Sequence, residues 1–300
     1  MGRAVARKRD WGEAGFIAAL LAPGLLLYGL LVLWPMVQSF YVSLHRWRGL
    51  SGNMVFVWFE NYQFLLQDER FRAALWHNFV FFVMVAVSTL VLALFFANAM
   101  SQNLRGAEFF RAVFLFPNVV SIVAVSTLWM FLYNPQWGLI NDSLELLGLA
   151  DPKDPKIWLA KPETVLPSLA VTYVWYVLGF YVLLFRAGIQ SISAEVSEAA
   201  QIDGATGTQQ FWLVTLPLLN DIVRLAVIYL LINCFNLFAL VWIMAPPSGT
   251  ANESEVALTY LYQKGFVEQQ FGYSTAIGTV NFVVVMAVTL LLQRLWKTGK

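Results

Sequence analysis

Glu198-Ala199-Ala200-Gln201-Ile202-Asp203-Gly204, then nine residues, then Val214-Thr215-Leu216-Pro217, is a segment suited to contact between surfaces rather than to bond-making. Ala199 and Ala200 are small and let another protein approach closely. Gly204 permits a backbone angle or a contact that a Cβ would block. Glu198 supplies one carboxylate for a basic residue on a partner. Asp203 is placed to cap the turn that follows, and Pro217 can begin a helix where its missing N–H costs nothing. Phe211, Trp212 and Leu216 are expected to anchor this knob on neighbouring helix ends. Covalent chemistry has little to work with here or elsewhere. The two histidines, His45 and His77, are far apart in sequence, and Cys234 is the single cysteine. A zinc site, an internal disulfide and a His-centred catalytic group are therefore not expected. The phosphate-cradling pattern Gly-x-x-x-x-Gly-Lys-Ser/Thr is absent, so the chain is not expected to bind ATP itself. No catalytic residue, metal or cofactor is predicted.

A second set of residues could handle a solute. Asn233 and Asn236 stand three apart, and so share a helical face. Tyr173, Trp175, Tyr176 and Gly179 lie in the preceding apolar run. Aromatic faces pack on C–H surfaces of a solute, and amides hydrogen-bond its polar groups. The alternative is structural: intramembrane Asn often joins helices, and Trp and Tyr often mark the lipid interface. Asn78, Asn118 and Asn281 are weaker candidates for that path and read better as structural amides, and Cys234 as a small core residue.

These groups must be positioned by helices that cross a membrane. The chain of 300 residues is 59% hydrophobic and 12% charged, against about 25% charged in soluble domains. Its net charge of +1 offers no bulk attraction to nucleic acid. Asp, Glu, Lys and Arg are absent from 14–45, 73–104, 112–141, 164–185, 225–252 and 269–293. Each window exceeds the ~20 residues that a helix needs to cross the hydrocarbon core. The windows are too long and continuous for the ~10-residue alternating strands of a membrane barrel. The expectation is an all-α integral membrane protein, one transmembrane domain over 1–300, with helices near 15–44, 74–99, 110–133, 164–187, 218–244 and 271–295. The first apolar run, after Arg3, Arg7, Lys8 and Arg9, extends from Phe16 to about Leu44. A cleaved signal core spans about 7–15 residues, so this run reads as an uncleaved helix, with Pro23 and Pro35 kinking it or marking its ends.

The basic start places the N-terminus in the cytoplasm. An even number of crossings returns Arg294, Lys297 and Lys300 to the same side. Arg105, Arg111, Arg186 and Arg224 are then also cytoplasmic, a modest positive-inside bias. The segment 194–217 falls inside. Outer loops cover 46–72, 142–163 and 246–268, none large enough for a separate domain.

The segment around Glu198 resembles the EAA loop of ABC-importer permeases: Glu-Ala-Ala, three residues, Gly, nine residues, Ile-x-Leu-Pro, with Val214 in place of Ile. The similarity covers nearly the whole chain. Residues 23–44 look like the first helix of the binding-protein-dependent sugar type, in particular the larger membrane subunit of the maltose-transporter family. Phe59-Glu60-Asn61-Tyr62 with Phe71-Arg72-Ala73-Ala74 and Asn78, Thr127-Leu128-Trp129 through Ile140-Asn141, and Phe271 through Gly278 match further blocks. One block departs. Where such permeases carry Thr-x-Gly-Gly-Pro after the fifth helix, this chain has Met244-Ala245-Pro246-Pro247-Ser248-Gly249.

The resemblance implies an importer-permease bundle whose cytoplasmic coupling loop, 194–217, docks on an ATPase through Glu198, Ala199, Ala200, Asp203, Gly204 and Pro217. It implies two ATP-binding subunits, a second homologous permease forming a heterodimer, and an extracytoplasmic solute-binding protein, in the cytoplasmic (inner) membrane of a prokaryote. It also places the solute path on the fourth and fifth helices, at Tyr173, Trp175, Tyr176, Gly179, Asn233 and Asn236. A sugar or related polyol is the expected cargo. The alternative is the same machine carrying another small solute such as a glycerol phosphate ester. A secondary transporter or channel is less favoured, because no intramembrane carboxylate stands ready to couple protons or sodium.

Overall fold

A computed structural model describes residues 11–49, 52–101, 106–151, 153–246 and 254–296. The basic residues Arg3, Arg7, Lys8, Arg9, Arg105, Lys297 and Lys300, and the Pro247-Ser248-Gly249 departure, lie outside the described residues.

The chain opens with α1 (Trp11–Tyr28), a π-helical turn (Gly29–Leu33) and α2 (Trp34–Ser43). Together these give a continuous apolar span, Gly15–Ser43, none of whose most apolar window is buried within the chain. Pro23 and Pro35 do not break it: Pro23 lies inside α1, and Pro35 lies just after the π-helical turn. A two-stranded antiparallel ribbon follows, β1 (His45–Arg46) and β2 (Val55–Phe56), pairing His45 with Phe56. Next come α3 (Glu60–Gln67), α4 (Glu69–Ser101), α5 (Ala107–Val119), α6 (Ile122–Leu132), α7 (Leu139–Leu146) and α8 (Pro162–Gln190). The second half holds α9 (Ala194–Ile202), α10 (Gly207–Gln210), α11 (Leu216–Leu218), α12 (Asn220–Phe235), α13 (Ala239–Met244), α14 (Ala257–Tyr262) and α15 (Phe271–Leu295).

Four helices, Gly15–Ser43, α4, α8 and α15, are long and apolar enough to cross a membrane unbroken. The third and fifth expected spans are bent pairs. Phe109–Val119 meets Ile122–Leu132 at 99°, and Gly207–Leu218 meets Asn220–Phe235 at 68°. The first bend has a local cause. Val120 is extended, and Ser121 caps α6 by accepting the Val123 N–H at 3.3 Å. The fifth expected helix, 218–244, also stops early: α12 ends at Phe235, Asn236 closes it, and Phe238 leaves helical geometry before α13 begins.

The core is the α4–α8 pair with α12 and α13 laid against it. Ala93 and Ala97, one turn apart and fully buried, let α8 approach α4 closely. Val177, Tyr181, Val182 and Phe185 of α8 fill the facing surface. At Gly179 a Cβ would fall 1.9 Å from the Phe114 carbonyl oxygen. Only glycine lets α5 cross α8 there.

The two ends of α4 define the poles of the bundle, about 50 Å apart for 33 residues at 1.5 Å each. At its first turn, Asp68 caps α4 by accepting the Arg70 and Phe71 N–H groups at 3.0 and 3.3 Å. The same carboxylate takes hydrogen bonds from the Tyr260 and Tyr273 hydroxyls. Arg70 pairs with Glu255, whose carbonyl oxygen lies 2.9 Å from His77 Nδ1. Asn78, fully buried, donates to the Cys234 carbonyl at 2.9 Å and accepts from the Ala257 N–H at 2.8 Å. This pole is therefore locked by polar bonds, while the middle is held by apolar packing.

Candidate functional site

At the other pole α9 projects from the end of α8. Its last turn closes with a complete glycine-terminated motif: the Ala205 N–H reaches the Ala200 carbonyl and the Gly204 N–H reaches the Gln201 carbonyl, both at 3.0 Å. Gly204 has φ +82 and no atom within 4 Å of a would-be Cβ. Its requirement is conformational, not steric. Asp203 does not cap the next turn, as its sequence position had suggested. It is the closing residue of α9. Thr206 caps α10 instead, in a reciprocal box: its hydroxyl accepts the Gln209 N–H, and Gln209 Oε1 accepts the Thr206 N–H at 2.8 Å.

Glu198 and Ala199 are exposed on α9, and Ala200 is buried beneath them. Ile202, missed in the sequence reading, is 85% exposed. It lies four residues after Glu198 and three after Ala199, so the three share one face. The signal was present as a large apolar residue at helical spacing from Glu198 and Ala199. Trp212 is corrected: it is 59% exposed and meets the Phe211 ring edge-on at 5.3 Å, so it is not a buried anchor. Leu219 does that work. It is 1% exposed, sits at the 68° bend and packs by Gly188, where a Cβ would come within 2.7 Å of Leu219 Cδ2 and 2.4 Å of Ile222 Cδ1. Pro217 lies in the short α11 just before that bend, not at the first turn of α12.

Between α9 and the ends of α4 and α8 is a cavity of about 330 Å³ lined by Asn98, Ser101, Ser197, Gln210, Phe211 and Thr215, among others. Gln210 Nε2 donates to Ser197 Oγ and links α10 to α9.

The residues expected on the solute path are spread over several environments. Tyr173 is buried against Phe81 with ring centres 5.7 Å apart. Gly179 is the packing glycine of the α5–α8 crossing. Trp175 is partly exposed and meets Trp129 edge-on at 5.7 Å. Tyr176 is half-buried, 6.1 Å from Tyr173. Asn233 is half-buried and donates to the Tyr229 carbonyl at 2.7 Å. Phe180 and Tyr229, 5.7 Å apart, join the exposed edges of α8 and α12. Asn236 is exposed, donates to Ile232 O at 2.9 Å, and lines a groove between α12 and α15. The groove brings in Asn281, a weaker candidate for the path from the sequence, and Thr289, which the sequence did not single out. Among the described residues no three His, Cys, Asp or Glu side chains converge as metal ligands.

A mostly helical set of apolar spans with a projecting elbow at one pole is the architecture of a multi-pass membrane protein. Residues 89–297 match the family described as binding-protein-dependent transport system inner membrane component, and the chain belongs to that family. It is 36% identical, over 98% of its length and 84% of the relative's, to the diacetylchitobiose uptake system permease protein NgcF of Streptomyces coelicolor. It is 30% identical to the trehalose/maltose transport system permease protein MalF of Thermococcus litoralis, over 94% of each chain. With the sn-glycerol-3-phosphate transport system permease protein UgpA of Agrobacterium fabrum it shares 31% identity over 90% of each. Its fold matches a chain of a bacterial alginate ABC transporter solved with an alginate pentasaccharide-bound periplasmic protein, with TM-score 0.82 at 23% identity, covering 98% of this chain and 100% of that one.

Proposed function

We propose that this chain is the membrane-spanning permease subunit of an ATP-driven importer, that it forms part of the path for a neutral sugar or polyol, and that α9 docks on a separate ATPase. The carrying observation is the exposed Glu198–Ala199–Ile202 face on a helix closed by the Gly204 motif, with Leu219 buried by Gly188 at the bend that follows. Ile202 offers apolar area, Glu198 a charge for a basic partner residue, and Ala199 the room for close approach. Closure of the ATPase would push this elbow, and the 68° bend would pass the push to α12. The path then alternates between outward and inward access. ATP is hydrolysed by the partner.

The remaining parts follow from the same reading: two ATP-binding subunits, a second homologous permease in a heterodimer, and an extracytoplasmic solute-binding protein, in the inner membrane of a prokaryote. The termini and α9 face the cytoplasm, and six spans cross, the bent pairs counting as one each. Sugar cargo is supported by the names of the uptake systems of the relatives and by the lack of Lys and Arg in the apolar windows. A glycerol phosphate ester is the second reading, favoured by the sn-glycerol-3-phosphate relative.

The test is copurification. Tagged chain isolated from native membranes should bring down an ATPase. Glu198→Lys and Ile202→Asp should release it while the chain stays folded. A folded wild-type chain that purifies without ATPase activity would sink the reading.

A further inference from the structure

Trp58 holds a backbone angle that a bulky side chain seldom takes, φ +52. Its ring nevertheless stays 66% exposed, meeting Phe56 edge-on at 4.7 Å. Strain of this kind persists where the surroundings fix it, and here they do. The Val57 N–H is bonded to the Leu44 carbonyl at 2.9 Å, and the Glu60 N–H closes the turn on the Val57 carbonyl at 3.1 Å. Asn61 Nδ2 donates to the Ser43 and His45 carbonyls at 2.8 and 2.9 Å. The Tyr62 and Ser43 hydroxyls share a bond at 2.6 Å. The turn and the first residues of α3 are thereby pinned to the end of the first span.

That pinning sets their depth. The span Gly15–Ser43 has 29 residues, which cover about 44 Å at 1.5 Å each. A bilayer with its headgroups measures about 40–45 Å. Ser43 and Leu44 thus leave the span at headgroup level, and Trp58 leaves with them. The outer surface of the span also runs on into the turn. Val37 and Tyr41, one helical turn apart on α2, are both exposed. Tyr41 meets His45 with ring centres 4.3 Å apart, His45 meets Phe56 at 4.9 Å, and Phe56 meets Trp58. Phe59, which follows Trp58, is exposed, and so is Leu66, two turns along α3 on the side of Phe59.

The geometry points to a lipid-interface anchor: Trp58, with Phe56 and Phe59, seats at the boundary between headgroups and acyl chains of the leaflet at this pole. The occupant is the bilayer itself, because the rings continue the uncovered surface of a span at the depth where aromatic side chains partition. The attraction is through rings and not through charge, since Arg46 is already paired with Glu60. The anchor holds α3, and the Asp68 cap that follows it, at a fixed height over the membrane.

The test places a nitrobenzoxadiazole fluorophore on Phe59→Cys in a Cys234→Ser background. The full chain, with the subunits that purify with it, is reconstituted in phosphatidylcholine nanodiscs. The readout needs no ATPase, so a chain that purifies alone is tested in the same way, and failure of the importer reading leaves the result independent. Nitroxide lipids carry the quencher either beside the headgroup or at the end of the acyl chain. The shallow quencher should act about two-fold more strongly than the deep one. A fluorophore on Glu195→Cys, exposed at the start of α9, should respond to neither. Adding Trp58→Gly, which suits the positive φ and keeps the turn, should lower the shallow quenching about two-fold. Emission that neither lipid quenches would mean that water or another protein covers the rings. Stronger deep quenching would place the rings in the hydrocarbon. Quenching only after phosphatidylglycerol is added would move the contact to Arg46 and Arg48. Unchanged quenching with Trp58→Gly would leave Trp58 without the role. Each of these four results would overturn the proposal.

Discussion

Arg70 and Glu255, 185 residues apart in sequence, form a two-point ion pair: Nη2 to Oε1 at 2.9 Å and Nε to Oε2 at 3.2 Å. Glu255 is 4% exposed, while the Arg70 side chain keeps 40% of its surface in solvent. The guanidinium also lies over the Tyr260 ring, 5.2 Å from its centre. Glu255→Ala should therefore cost about 1–3 kcal/mol, less than a fully buried pair because Arg70 can turn to water. Thermal unfolding of the purified complex would read this. An unchanged Tm would show that the pair adds nothing net.

The carboxylates at this pole should titrate in opposite senses. Burial alone would raise Asp68, but hydrogen bonds from Tyr260, Tyr273 and the N–H groups of Phe71 and Arg70 outweigh it and hold the carboxyl below its ordinary 3.8. A lowered acid adds stability that is fully present above pH 3.8 and is lost as pH falls through the folded value. Burial pushes Glu255 above its ordinary 4.5, opposed by Arg70. Its contribution is present below pH 4.5 and is lost as pH rises through the folded value. Asp68→Asn should thus narrow its stability deficit against wild type on acidification below pH 3.8. Glu255→Gln should narrow any deficit, or gain, as pH rises above 4.5. Stability curves from pH 3 to 7 would contradict this if the two variants shifted in the same sense.

Gly204 has space for a side chain but not the backbone angle for one. Gly204→Ala should cost roughly 1–2 kcal/mol of local stability, loosening α9 without touching the membrane core. The expected phenotype is lowered transport per ATP hydrolysed at normal protein level, with Gly204→Asn milder. Equal coupling in all three would remove the conformational argument.

Gly179 separates packing from solute contact. Gly179→Ala places a methyl against the Phe114 backbone, which can yield only by moving α5. Poor assembly and low protein yield are expected. Normal yield with altered solute KM would return Gly179 to the path.

Asn78 bridges α4 to the ends of α12 and α14. Asn78→Leu leaves a buried N–H and a buried carbonyl unpaired, costing about 2–4 kcal/mol. Hydrogen exchange should accelerate at Ala257 first, and uniform exchange across the chain would contradict that placement.

How much of this was visible beforehand depended on whether the signal was local. The spans could be read because the absence of charge over twenty residues is a property of sequence alone. The bends at Ser121 and Leu219 were not, because hydropathy is summed over a window and carries no direction. The helix ending at Gly204 was legible from its glycine. The face that it presents was only half legible, since Ile202 needed its spacing to be weighed against Trp212, a larger residue that meets only the ring of its neighbour Phe211 among the aromatic side chains and stays largely exposed. Asn281 looked like helix glue because its composition and depth are those of glue. Its unpaired oxygen is a fact of tertiary packing.

Charge on these helices lies near their ends: Glu13 at the start of α1, Glu69, Arg70 and Arg72 at the start of α4, Glu108 and Arg111 in the first turns of α5, Glu163 and Arg186 near the two ends of α8, Asp221 and Arg224 in the first turns of α12, and Arg294 at the end of α15. Carrying one elementary charge through 100 mV involves about 2.3 kcal/mol, and this chain has almost none to carry as it changes shape. If the proposed function holds and the cargo is uncharged, the cycle would be electrically silent, and a cell whose membrane had lost its voltage but kept its ATP would still find this route open.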